Sequence, residues 1–327
     1  MITYNHENFI REAIEGVLMQ KTTFPIELII GEDCSTDKTR KIVVEYFEKY
    51  PAIVKPQLPH KNRGMQNNFI SIFKATQGKY IAMCEGDDYW ADPYKLQKQV
   101  DFLEANEEYS ICFHPVKVWK ENEKTMVDDV ITREVPETTT ILDLAEGNYI
   151  HTPSVVFRKN EEVLDVFENM GSLPVGDYVL HMLNAKYGKI KKLPEVMGVY
   201  RVHDGGVWSD NKDIEYKFSS WLSLLNELLI YFKEDKLIVN NFKEQYGCIA
   251  YTLYDYFKGK DEYKADKYLV LAIENNVKYV VSNIKKSEKE INLLADKLRS
   301  ITNSRAYKLG KFILKPFSFF RHKIFRK

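Results

Sequence analysis

The chain has 327 residues, 44% of them hydrophobic, which suffices for one large domain with an appendage or for two domains, and its 47 basic and 47 acidic residues balance to zero. That balance gives no reason to expect a nucleic-acid partner, and Cys34, Cys84, Cys112 and Cys248 are too scattered for a zinc knuckle or a disulfide framework, which fits a reduced, cytosolic setting. The most apolar run, Trp221 to Phe232, falls short of the roughly 20 residues that span a bilayer and carries Glu227; the start of the chain shows no signal-peptide pattern.

Residues 1–210 alternate strand-like and helix-like patterns, the sequence form of an α/β fold with a mostly parallel sheet and helices on both faces. Met1 to Thr3 is a short first strand where about five to six residues are usual, so the strand is expected to be truncated. Phe9, Ile10, Ala13, Ile14, Val17 and Leu18 predict a helix over Asn8 to Gln20. Ile26 to Ile30 is a buried strand that ends in Glu32 and Asp33; Ser35, Thr36 or Asp37 caps a helix from Lys38 to Tyr50, which Pro51 stops. A weaker strand over Ile53 to Leu58 precedes the loop containing Asn62, Gly64 and Asn68 and a helix from Phe69 to Thr76.

Tyr80 to Cys84, bounded by Gly78 and Gly86, is a short buried strand, and a helix follows Pro93 as far as Ala105. Tyr109 to Val118 reads as one strand, and Lys120 to Thr140 as an irregular loop over an acceptor site. Ser154 to Phe157 is another strand. Gly176-Asp177 opens an amphipathic helix, and strands over Ile190 to Leu193 and Val196 to Val202 lead into His203. The pattern then turns wholly helical, over Tyr216 to Phe232, Leu237 to Phe257 and Tyr263 to Asn275, with a boundary near Ser209 to Asp213. The expected divisions are 1–210, a helical domain over 211–280, and a tail over 281–327 with a helical hairpin or weak coiled coil at its start.

Glu85, Asp87 and Asp88 put three carboxylates into four residues at the end of a strand, with no Lys or Arg among them. Such a cluster is electrostatically costly unless solvent or a cation compensates it, and Mg²⁺ or Mn²⁺ is commonly held by one or two carboxylates, waters and substrate phosphates. A solvated turn whose aspartate caps the next helix is the plainer reading. At the other end of the chain, residues 305–327 hold eight basic and no acidic residues interleaved with five phenylalanines, a composition suited to an anionic membrane surface or to aromatics docked on the protein.

The run CEGDDYWADPYKLQKQVDFLE, with TYNHE at Thr3 to Glu7 and GEDCSTDKT at Gly31 to Thr39, resembles family 2 glycosyltransferases over roughly residues 2–208. The resemblance implies a GT-A fold, a nucleotide-sugar donor and a divalent cation, Mg²⁺ or Mn²⁺, on a D-x-D signature with Glu85 in its first acidic place and Asp87 in its second. It puts Thr3, Tyr4, Glu7, Asp33, Asn62, Gly64, Asn68, Glu85 and Gly86 on the donor side, with Tyr4 against the base and Asp33 at the base or ribose. Core packing for Tyr4 and a capping turn for Asp33 are the structural alternatives. Arg201 either offsets diphosphate charge or is a paired surface arginine; His203 is either a metal or diphosphate contact or a satisfied structural histidine. Asp88 lies to the acceptor side, and Trp90 either walls the sugar pocket or seats the following helix. Asp177 corresponds to the base that deprotonates the acceptor hydroxyl. It also suits an N-cap, and the positive end of a helix favours a carboxylate in either role.

What the resemblance implies is an inverting, metal-dependent transferase that moves a sugar, from a UDP-sugar by preference, to a hydroxyl of a surface polysaccharide or lipid-linked glycan. Its expected place is the cytoplasm, peripheral at the inner face of the membrane through the basic tail. The alternatives are a sugar transferase to polyprenyl phosphate, which needs no strong base, and a catalytically silent nucleotide- or glycan-binding module.

Overall fold

In the computed structural model, which describes residues 1–171, 173, 176–206, 213–285 and 300, strands and helices alternate from the start of the chain. β1 (Ile2–Thr3) leads through a turn at Asn5 into α1 (Ile10–Leu18), whose Ile10, Ala13, Ile14 and Val17 form one buried face. β2 (Leu28–Glu32) is buried along its whole length because it lies between β1 and β3 (Val54–Gln57) in a parallel sheet. Pro56 is tolerated in β3 because that strand is an edge. α2 (Thr39–Lys49) connects β2 to β3, and the Asp37 carboxylate accepts the Thr39 N–H at its start. α3 (Met65–Ala75) begins a turn earlier than its apolar residues suggest, because Gly64 takes a positive φ and its carbonyl accepts the Asn68 N–H.

β4 (Tyr80–Ala82), β5 (Tyr89–Trp90), α4 (Lys95–Ala105) and β6 (Tyr109–Phe113) follow. The strand expected over Tyr109 to Val118 is two strands in different sheets, β6 and β7 (Val116–Lys120), broken at Pro115, which has no N–H to continue a ladder. The expected irregular loop is likewise partly ordered. β8 (Thr125–Asp128) turns back on β7 through Lys124, which adopts a positive φ, with Val118 opposite Val127 and Trp119 opposite Met126.

β9 (Thr138–Thr139), α5 (Ile141–Leu144), β10 (Val156–Arg158), α6 (Glu161–Asn169), α7 (Gly176–Asn184), β11 (Lys189–Lys192) and β12 (Gly198–Val202) complete two further sheets, ordered β4-β10-β6-β11-β9 and β5-β12-β7-β8. Parallel pairing recurs in β6–β11 and β7–β12; the other neighbours in these two sheets are antiparallel. β5 and β12 carry the site, since one follows the acidic loop and the other ends at His203.

Beyond the sheets the described chain is helical: α8 (Ile214–Tyr231), α9 (Lys236–Phe257) and α10 (Glu262–Lys285). One compact unit spans Met1–Phe242 and a second begins at Lys243. In the first, α8 buries Leu222, Leu224, Leu225 and Leu228. In the second, α10 is interrupted at Asn276, whose side-chain oxygen accepts the Tyr279 N–H and restarts the helix. Among the described residues no helix is long and apolar enough to cross a membrane. The basic tail, all but the first three residues of the hairpin or coiled coil expected over 283–299, and most of the boundary expected near 209–213 lie outside the described residues.

Candidate active site

The acidic loop between β4 and β5 is tied to β1 and to β12. Gly86 N–H donates to Ile2 O at 3.0 Å, and Asp88 Oδ1 accepts the Arg201 backbone N–H at 2.7 Å. Asp87 meets two imidazoles: His203 Nε2 lies 3.0 Å and His6 Nε2 3.8 Å from its Oδ2. Burial alone would raise the Asp87 carboxyl, but the hydrogen bond with His203 and the charges of His6 and His203 outweigh it and hold the group below the usual carboxylate range. Glu85 has no such partner. Burial, then the charges of Asp87 and Asp177, push it up to about 8. Asp88 is raised well above its ordinary value by burial and by Asp87 and Glu85, and its Oδ2 is buried without a protein partner.

This donor set fits a divalent cation. Asp87 stays anionic where burial would neutralise it, His203 presents a ring nitrogen to its Oδ2, and Asp88, whose Oδ2 is orphaned, forms a second group of close donors with Glu85 and Asp87.

A second loop cluster gathers residues expected on the donor side. Asp33 accepts the N–H groups of Arg63 and Gly64 on its two carboxylate oxygens, while Asn62 donates to its backbone carbonyl and accepts from Gly64. Asp33 and the 62–64 loop are therefore one unit. Asn68, buried, donates to Gly31 O and anchors α3 under β2. Glu7 accepts the Lys38 N–H, and its own N–H goes to Asp37, which fastens the turn after β1 to the start of α2. Thr3 is buried against Gly86. Tyr4, by contrast, is 44% exposed, as an aromatic must be if a flat ring is to stack on it.

Asp177 stands at the head of α7. Thr152 Oγ1 donates to its Oδ2 at 3.1 Å, and its charge reaches Glu85. Trp90 is only 4% exposed: its indole N–H donates to Pro153 O and its ring lies under the buried Lys95 ammonium, 4.2 Å away, so it holds the floor of the site. Arg201 is also committed inward. Its guanidinium binds Glu12, Glu121 and Asp87 O and lies between the Phe9 and Tyr89 rings. All the residues singled out in the sequence except Glu7, Gly86 and Asp88 line one cavity of about 1600 Å³.

Sequence reasoning passed over His6 and Phe9. The Phe9 ring lies 4.7 Å from that of His203 and 6.3 Å from that of His6, and so seats both. The available signal was that both residues lie in the short loop from the first strand to the first helix.

The sequence model of glycosyl transferase family 2 matches residues 1–163. The chain belongs to this family. An uncharacterized protein of Mycobacterium tuberculosis (strain ATCC 25618 / H37Rv) is 42% identical over 212 residues, 63% of this chain and 59% of that protein, so the match leaves two fifths of the relative's length uncovered. Among solved structures, TarS 1–349 of S. aureus in complex with UDP-GlcNAc superposes with a TM-score of 0.57 at 19% identity, covering 84% of this chain and 79% of that one. A mannosyltransferase, PcManGT from Pyrobaculum calidifontis in complex with GDP-Man and Mn²⁺, gives 0.52 at 14% identity over 95% and 81%. At these identities the likeness concerns the fold, which is that of a GT-A family 2 glycosyltransferase followed by a helical region.

Proposed function

We propose that this protein is a metal-dependent, inverting glycosyltransferase that moves a sugar from a nucleotide diphosphate donor, a UDP-sugar in the first instance, to a hydroxyl of a surface polysaccharide or lipid-linked glycan. The observation that carries the reading is convergence in one cavity: Tyr4, Asp33, Asn62 and Gly64, Asp87 with His203, and Asp177 all line it. The TarS and PcManGT structures, which hold UDP-GlcNAc and GDP-Man, support a nucleotide sugar as donor.

In this reading Tyr4 stacks on the base and the 62–64 loop, braced by Asp33, receives the nucleoside. Asp87 and His203 hold the cation, with Glu85 and Asp88 beside them; such an ion supplies positive charge at the diphosphate. Asp177, oriented by Thr152, accepts the proton of the acceptor hydroxyl as that oxygen attacks the anomeric carbon in line with the departing diphosphate, through an oxocarbenium-like state. Arg201 acts through the loop it braces. The basic, aromatic tail supports residence at an anionic membrane surface.

The test begins with UDP- and GDP-linked sugars screened for thermal stabilisation in the presence of Mn²⁺. With the stabilising donor, Asp177→Asn is expected to keep the shift and lose transfer by about 10² to 10⁴-fold. Near-normal turnover would remove Asp177 as base and favour a phosphate acceptor, which arrives already ionised. Stabilisation without transfer in the wild type would favour a silent binding module.

A further inference from the structure

We infer that His6 is a third protein donor to the cation, and that the resulting pair of imidazoles and one carboxylate selects a first-row transition ion such as Mn²⁺ over Mg²⁺. The inference rests on the proposed ion at Asp87 and adds to it a ligand and a chemical preference.

The donor atoms of His6, Asp87 and His203 all lie within 4.8 Å of one another. Adjacent donors at about 2.1 Å from an octahedral ion stand about 3 Å apart. His203 Nε2 already meets this spacing from Asp87 Oδ2, at 3.0 Å, and His6 Nε2, at 3.8 Å, falls short by less than a side-chain adjustment. The His6 backbone is pinned: its N–H donates to Thr39 Oγ1 at 2.8 Å, and its carbonyl accepts the N–H groups of Phe9 and Ile10 that start α1. The two imidazoles meet edge to face at 6.0 Å, with Phe9 against both. Gly86 gives the ring its space, because a Cβ there would stand 3.0 Å from His6 Nδ1. That nitrogen has no protein partner. The other nitrogen, Nε2, turns toward the carboxylate that His203 also faces.

The preference follows from the donor types. Mg²⁺ takes oxygen ligands in near-ideal octahedra and keeps its waters, whereas two imidazoles and one carboxylate are a set that transition ions accept. Sites that rely on carboxylates and phosphates alone discriminate less.

The experiment uses the full chain stripped with EDTA and titrated with MnCl₂, followed by electron paramagnetic resonance and by the ¹⁴N couplings on bound Mn²⁺, with MgCl₂ as competitor. The wild type is expected to show two nitrogen ligands, with His6→Gln and His203→Gln each showing one. In His6→Gln the Mn²⁺ dissociation constant should rise about tenfold or more and the excess of Mg²⁺ needed to displace Mn²⁺ should fall. His6→Asn, checked for an unchanged melting midpoint, provides the same reading should His6→Gln fold poorly. One nitrogen in both the wild type and His6→Gln, or equal competition by Mg²⁺ in the two, overturns the inference and leaves the ion on Asp87. Absence of bound Mn²⁺ in the wild type, or undiminished binding in Asp87→Asn, overturns the ion reading and the inference with it.

Discussion

Arg201 shows how one residue fixes the geometry of the acidic groups around it. Its guanidinium, 7% exposed, joins Glu12 and Glu121 and holds Asp87 O, while its backbone N–H holds Asp88. Arg201→Met should cost about 1 to 3 kcal/mol in urea unfolding, because Asp87 O loses its donor and Glu12 its partner while Glu121 keeps Lys124 and Trp119, and should weaken Mn²⁺ binding through the loosened loop. Wild-type stability in that variant would mean that the guanidinium is held for a ligand instead. Lys95 presents the opposite case, a buried amine with no acid paired to it among the described residues: its Nζ donates to Gln99 and lies over Trp90. Burial pulls it from 10.5 to about 7, so the folded state favours the neutral amine. That contribution is complete above pH 10.5 and is lost as pH falls through about 7. Between pH 7 and 10 the wild type should therefore gain stability relative to Lys95→Met, by on the order of a few kcal/mol, in denaturant titrations at each pH. Parallel pH profiles would show that the amine stays charged.

At the scale of elements, the close approach of β1 to the acidic loop depends on Gly86, where a Cβ would fall 2.5 Å from Thr3 Oγ1. Gly64 is the contrasting case, with open space around it but φ at 81°. Gly86→Ala should lower the melting midpoint more than Gly64→Ala, whose cost is about 1 kcal/mol of backbone strain, and only the former should also abolish Mn²⁺ binding. Equal effects would mean that β1 and the loop can separate freely.

Elements with a strong apolar period were legible in the sequence: α1, β2 and α7 stand where Ile14, Ile30 and Leu180 put them. α6 was passed over although Asn160 caps it through the Glu162 N–H and Val163, Leu164 and Phe167 share its buried face. The β6–β7 break was written as Pro115 and hidden by apolar residues on either side. In the site, single residues at strand ends could be read. The pairing of His6 with His203 could not, because it arises from Phe9, a ring that looked like ordinary core.

Across the whole molecule, the cavity is lined by residues from Met1 to Trp221 within the first compact unit. Nucleotide and cation should therefore stabilise that unit as a whole. UDP with Mn²⁺ at about 100 times the dissociation constant should add about 2.7 kcal/mol, and EDTA should remove most of it. A midpoint indifferent to EDTA would separate nucleotide binding from the ion.

The pairing of β12 with β5 and β7 also bears on the order of events at the ribosome. The family match ends at residue 163, yet Asp177, Arg201 and His203 emerge only later. Until β12 has been synthesised, the nascent chain carries its carboxylates without the imidazole and guanidinium that restrain them. Chains arrested before Gly198 should capture no Mn²⁺, and capture should begin in one step once residue 203 has cleared the exit tunnel. Among the described residues β12 is the last strand made, and it brings the backbone N–H and the imidazole that hold Asp88 and Asp87.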